Sequence, residues 1–91
     1  MKSVRMKGGS SVEIVEVPDP VPGPGEVVVE TAVSALCGSE LHGYRSAGQP
    51  QGNSGHESVG RVSAIGPGVT RVQPGQRVGV SAVFGCGTCA C

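Results

Sequence analysis

Cys37, Ser39, His42, His56 and Glu57 are the residues of this chain whose types and spacing could do chemistry together. A thiol and an imidazole are donors that Zn²⁺ takes. Each stands beside a glycine, in Cys37-Gly38 and Gly55-His56, where the backbone can approach a site closely. Ser39 and His42 follow Cys37 at +2 and +5, so a hydroxyl and a second imidazole share one short turn with the candidate thiolate. Both groups donate and accept protons, which is what carrying a proton from a metal-activated hydroxyl to solvent requires. Glu57, directly after His56, adds a carboxyl that can sit beside a metal or enter its coordination and tune its charge. Taken singly, each has a plainer role: Cys37 a small buried hydrophobe, His56 a satisfied polar residue, Glu57 a solvated strand side chain. The grouping is what points to a metal.

A second cluster is Cys86-Gly87-Thr88-Cys89, a C-x-x-C pair at a glycine-rich turn. This spacing lets two thiolates reach one Zn²⁺ at about 2.3 Å each. Cys91 follows Cys89 after a single residue and is a doubtful third ligand. A redox C-x-x-C competes with this reading but belongs in a βαβ context that the chain lacks. Disulfides would need an oxidising compartment.

The elements that must position these residues are short strands. Met1 to Lys7 and Val12 to Val17, with Gly8-Gly9-Ser10-Ser11 between them, predict a hairpin. Pro18 to Gly25 carries too many prolines for a helix or central strand and should be an extended connection. From Glu26 to Leu36, Val27, Val29, Thr31 and Val33 alternate with Val28, Glu30, Ala32 and Ser34, predicting a strand buried mostly on one face. A short helix or turn should start at Ser39, and Gly43 to Gly55 should be a surface loop. Ser58 to Ile65 and Arg77 to Val83 are again strand-like, set apart by Gly66-Pro67-Gly68 and Gln73-Pro74-Gly75 turns. The expected fold is mainly β, one Greek-key or partly open barrel with at most one short helix.

Composition narrows the function classes. The 91 residues carry Lys+Arg 7 against Asp+Glu 7, a formal charge of 0, without the basic footprint of a nucleic-acid binder. No apolar run approaches the ~20 residues of a membrane span, and the N-terminus lacks the apolar core of a signal peptide. A cytoplasmic location is the expectation. Val occupies 16 positions while Leu and Ile have two each, so β-branched residues must build most of whatever core exists. So little large apolar volume in a chain this size predicts marginal stability or missing chain.

Cys37-Gly38-Ser39-Glu40-Leu41-His42 together with Gly55-His56-Glu57-Ser58-Val59-Gly60 and Gly66-Pro67-Gly68-Val69 resembles the zinc-containing alcohol dehydrogenase family, whose G-H-E-x-x-G-x-x-x-x-x-G-x-x-V pattern fits without a gap. Val72-Gln73-Pro74-Gly75-Gln76-Arg77-Val78 is similar to the V-x-x-G-D-R-V stretch of the same family. The resemblance covers essentially the whole chain, as one domain over residues 1–91. It implies a GroES-like β-barrel catalytic domain of the medium-chain dehydrogenase/reductase superfamily. Cys37 and His56 would be catalytic zinc ligands with Glu57 beside the metal, and Ser39 and His42 the proton relay. Glu40 stands where the family usually has Asp as partner of the histidine ligand, one methylene longer. Cys86 and Cys89 would open a structural zinc lobe, from whose spacing Cys91 departs. The reaction implied is oxidation of a small alcohol or polyol by NAD(P), in an enzyme that is a homo-oligomer.

Nothing in the sequence matches G-x-G-x-x-G with a downstream acidic residue, so the Rossmann cofactor domain is lacking, and the family's remaining catalytic ligand would fall past Cys91. The expectation is an N-terminal fragment of a longer enzyme, inactive alone. The alternative is a stand-alone GroES-like module, zinc-binding or purely structural, without hydride transfer. The zinc-free quinone and enoyl reductase branches of the superfamily are disfavoured because Cys37 and His56 are both present.

Overall fold

Strand propensity and turn chemistry decide most of this structure, a computed structural model that describes residues 1–49, 55–86, 88 and 89. β1 (Lys2–Gly8) and β2 (Ser11–Glu16) pair antiparallel from Lys2 opposite Glu16 to Gly8 opposite Ser11, as the two Val-rich runs around Gly8-Gly9-Ser10-Ser11 predict. β3 (Val27–Ala35), β4 (Glu57–Ile65) and β5 (Arg77–Gly79) form a second antiparallel sheet in that order. The single helix among the described residues, α1 (Glu40–Arg45), links β3 to β4. The molecule is mainly β, as expected, but the described strands make two separate sheets and no closed barrel.

Three expectations change in detail. Gly43 to Arg45, read as loop, belong to α1, while Pro50 to Ser54 of that same stretch lie outside the described residues. The last strand stops at Gly79 instead of Val83, because after Val80 bonds to the Ser58 carbonyl the chain turns on the Ser81 hydroxyl, which accepts from Val83 N–H at 3.3 Å. The third difference concerns the alternation in β3, which does not produce one buried face. Register shifts between Val28 and Val29 and between Thr31 and Val33 interrupt the pairing with β4: the first leaves Ser63 of β4 as the extra residue, and the second leaves Ala32 of β3, which turns the β3 side chains that follow it. Val33, beyond both shifts, is 63% exposed, and Val27, ahead of them, is 40% exposed.

The buried apolar core among the described residues is correspondingly small: Met6 and Val62. Met6 on β1 lies against the helix, with its sulfur 3.8 Å from where a side chain on Gly43 would begin. Val62 is held in mid-sheet, its N–H donating to Gln76 O at 2.9 Å and its carbonyl accepting from Gly75 N–H at 2.7 Å. A radius of gyration of 14.8 Å exceeds the ~12 Å of a compact chain of this length, as a thin core leads one to expect. No helix of the described residues is long and apolar enough to cross a membrane.

What this architecture positions is the junction of β3, α1 and β4. The hairpin turn holds the end of α1, since Ser10 N–H donates to Tyr44 O at 2.8 Å and Gly9 N–H to Ser46 O at 3.0 Å. Gly60 keeps β4 tight against β3, because a Cβ there would run into the Glu30 carbonyl and come 2.9 Å from Val29 Cγ1. Gly60→Ala in the full chain is expected to cost about 1–3 kcal/mol of unfolding free energy by chemical denaturation. Gly38→Ala, whose new methyl meets nothing within 4 Å, should stay within about 0.5 kcal/mol of the parent.

Candidate metal centre

The strand register brings the candidate donors together. Ala35, near the end of β3, pairs with Glu57 at the start of β4, so Cys37 just past one strand and His56 just before the other fall side by side. The Cys37 sulfur, a His56 ring nitrogen and a Glu57 carboxyl oxygen all lie within 4.8 Å of one another. Cys37 and His56 are half-buried and Glu57 is exposed. This is the only such group of three among the described residues.

The local backbone explains the presentation. Helical turns begin at Cys37, where Glu40 N–H donates to Cys37 O at 3.1 Å and Leu41 N–H to Gly38 O at 3.2 Å. Ser39 donates to the Cys37 sulfur through both its hydroxyl and its backbone N–H. Those bonds, with a further one from His56, favour the thiolate and pull the Cys37 pKa below its ordinary value of 9.0. The thiol in turn raises His56 above 6.5, with the Glu40 and Glu57 charges adding to the effect and desolvation opposing it. Without metal, the pair leans toward thiolate and imidazolium.

Glu40 lies beneath both groups. Its residue is 6% exposed, its Oε2 accepts from Cys37 N–H at 2.8 Å, and its Oε1 stands 3.9 Å from His56 Nδ1. A cleft of about 460 Å³, walled by Met6, Leu36, Leu41 and Tyr44, borders its other side.

The structure thus brings together Cys37, Ser39, His56 and Glu57. His42 is exposed and lies three residues beyond Ser39, with no partner for its ring among the described residues. At the far end, the Cys86 sulfur accepts from Thr88 Oγ1 at 3.4 Å, Thr88 N–H at 3.5 Å and Cys89 N–H at 3.3 Å. These donors, the Thr88 hydroxyl foremost, bring the Cys86 thiol down to about 6. Cys37, Cys86 and Cys89 are thiols and not disulfides. Cys91, named above as a doubtful ligand, lies outside the described residues. Sequence reasoning missed the grip of Glu40 on the Cys37 backbone and the role of Thr88. The first was legible as an acidic residue three positions after a turn-starting residue, the return arm of a capping box.

A thiol, an imidazole and a carboxyl converging at one point form a donor set that Zn²⁺ accepts, and the buried, unpartnered Glu40 Oε1 beside the imidazole suits an outer hydrogen bond to a ligating histidine. Fold and donor set define a domain of β architecture with a candidate metal centre. Comparison with known proteins gives the family: residues 23–91 match the alcohol dehydrogenase GroES-like domain, and the chain belongs to that family. It is 40% identical over 92 aligned positions to the L-threonine 3-dehydrogenase of Pyrococcus horikoshii, which covers 94% of this chain and 26% of that protein. An alcohol dehydrogenase of a Moraxella species is 42% identical, over 89% of this chain and 25% of its own length. An alcohol dehydrogenase of Escherichia coli CFT073, solved with NADH, superposes with a TM-score of 0.86 at 37% identity, covering 99% of this chain and 27% of that one. The chain spans about a quarter of the length of the relatives it matches.

Two titrations check the electrostatics in the metal-free chain. By NMR, the His56 ring should titrate above 6.5 and move back toward that value in Cys37→Ala, because its largest raising influence is then removed. Cys86 should alkylate with a midpoint near pH 6, moving upward in Thr88→Val; an unshifted thiol midpoint near 9 in the parent would contradict the bonding described.

Proposed function

We propose that this chain is the metal-binding part of a zinc-dependent, NAD(P)-dependent dehydrogenase that oxidises a small alcohol or polyol to an aldehyde or ketone. The observation that carries the reading is the convergence of Cys37, His56 and Glu57 within 4.8 Å, on motifs of the matched family. Bound zinc supplies Lewis acidity, which lets a substrate hydroxyl ionise near neutral pH. The chain's own residues prepare for this. Ser39, by donating to the Cys37 sulfur, holds a negative ligand in place and lowers the cost of keeping it ionised. His56 gives a nitrogen once its proton is lost, and Glu57 balances the charge at the exposed side.

Ser39 and His42 form the proposed route for the substrate proton. Residues three apart share one face of a helical turn, and His42 is open to water where a proton can be handed on. Cys86 and Cys89 are proposed as two thiolates of a second, structural zinc, a role that the lowered Cys86 thiol favours. The dinucleotide is assigned to sequence outside these 91 residues, which hold no G-x-G-x-x-G fingerprint; the E. coli relative binds NADH. These residues alone would therefore not turn over an alcohol. A cytoplasmic setting belongs to the same reading.

In the complete enzyme, Cys37→Ser and His56→Ala should each lower zinc affinity by more than the ~10–100-fold typical of outer-shell changes, and abolish alcohol oxidation. His42→Ala should keep zinc and lose about 10²–10⁴-fold in rate, and Ser39→Ala should lose rate over the same range while also weakening zinc, because the Cys37 thiolate loses its hydroxyl donor. Zinc content by mass spectrometry and NAD(P)H formation check these outcomes; full zinc and full rate in Cys37→Ser would reject the reading.

A further inference from the structure

Arg61 and Arg77 stand directly opposite each other on β4 and β5. One step along, Val62 is opposed by two residues: its N–H donates to Gln76 O at 2.9 Å and its carbonyl accepts from Gly75 N–H at 2.7 Å. Gly75, at φ +90°, is the left-handed first residue of this bulge. Toward the other end of the pairing, Val80 N–H donates to Ser58 O at 2.9 Å. Hydrogen-bonded and non-hydrogen-bonded pairs alternate along an antiparallel ladder, so Arg61 and Arg77 form a non-hydrogen-bonded pair, whose Cα atoms approach to ~4.5 Å and whose side chains lie closest. Like charges at such a position destabilise a sheet. Glu30 is opposite Arg61 on β3, yet among the described residues no carboxyl lies within ion-pair distance of either guanidinium.

The Arg61 guanidinium is held in place by the turn that leads into β5. Its Nη1 donates to the Gly75 carbonyl at 2.8 Å. That carbonyl sits in a turn closed by its own bonds, Gln76 N–H to Gln73 O at 3.2 Å and Gln73 N–H to Gln76 Oε1 at 2.8 Å. The rest of the Arg61 fork and the whole fork of Arg77 have no acceptor among the described residues. Both arginines border an open depression of about 540 Å³, floored by Ala32, Val59, Gly60 and Gly79. The two glycines bring no side chain, and Val59 is 50% exposed, so the floor is flat and largely apolar.

We propose that Arg61 and Arg77 form a binding site for a phosphoryl dianion, with room on the adjoining floor for the organic group of a phosphate monoester. Guanidinium forks match phosphate oxygens two at a time. Two positive charges without a counter-charge suit a group that carries close to two negative charges near neutral pH, whereas a carboxylate would offset one. Relief of the repulsion between the arginines adds to what the contacts supply. The site lies four residues along β4 from Glu57, about 13 Å at ~3.3 Å per residue, and requires no metal. It goes beyond the dehydrogenase reading and does not depend on it.

The test uses the full chain, metal-free and at low salt, titrated with phenyl phosphate, inorganic phosphate and benzoate while the arginine Nε–H signals are followed by NMR. The Arg61 and Arg77 signals should move and saturate with phosphate probes, and added salt should weaken binding. Arg61→Gln and Arg77→Gln should each lose about tenfold or more in affinity. Arg61→Lys, which keeps the charge without the fork, should also bind less tightly than the parent. Arg5→Gln, on the other sheet, should bind as the parent does. Because the substitution removes a like-charge contact, Arg77→Gln should unfold at no lower temperature than the parent. Tighter binding of phenyl phosphate than of inorganic phosphate assigns the site to an ester, and equal or weaker binding to the free ion. The proposal is overturned by the absence of saturable shifts, by benzoate binding as tightly as the phosphates, by unchanged affinity in Arg77→Gln, or by earlier unfolding of that variant, which would make Arg77 a structural residue.

Discussion

The antiparallel pairing of β3 with β4 is the constraint on which the rest of the candidate centre depends. Placing Ala35 opposite Glu57 puts Cys37 and His56 on adjacent chain ends, and no other part of the backbone has to carry them there. Because side chains alternate along a strand, a slip of one residue would turn Glu57 to the opposite face and separate the three donors. The register is pinned by backbone and not by a large core. Gly60 lets the strands close where any side chain would strike the Glu30 carbonyl, and the two bulges in β3 and β4 absorb the mismatch further along.

Around that junction, electrostatics supply the order that apolar packing does not. Met6 and Val62 are the buried apolar residues among those described, while Ile14, Leu36 and Phe84 remain largely in solvent. The turn carrying Cys37 is held instead by polar bonds from Ser39 to the sulfur and from the Cys37 N–H to Glu40. The same bonds that fix the sulfur also stabilise its ionised form, so positioning and activation of the ligand are one arrangement. The imidazole is coupled to it through the raised affinity of His56 for its proton. A carboxyl buried at 6% exposure under both groups would be a poor bargain in a structure without a cation to face it.

The hairpin of β1 and β2 contributes in a different way. It carries none of the candidate donors, yet its turn bonds to the end of α1 and Met6 packs beneath it. The helix is six residues long and could not stand alone; it is held by the strand at one end and the hairpin at the other.

The sequence by itself determined the mainly β class, the approximate strand boundaries, the C-x-S and G-H-E placements of the candidate donors and their likeness to one family, because strand propensity, turn residues and motif spacing are local properties. The likeness to that family, and not the spacing, implied Glu40 as a partner of the histidine. Tertiary structure decided what local patterning could not: that the alternation of β3 is broken at Ala32, that Gly43 to Arg45 stay in the helix where the hairpin turn docks, and that Cys37 meets His56 and Glu57. It alone placed Glu40 between Cys37 and His56, since burial and the meeting of a turn with a strand start depend on β-sheet register, a non-local pairing that no window of sequence encodes.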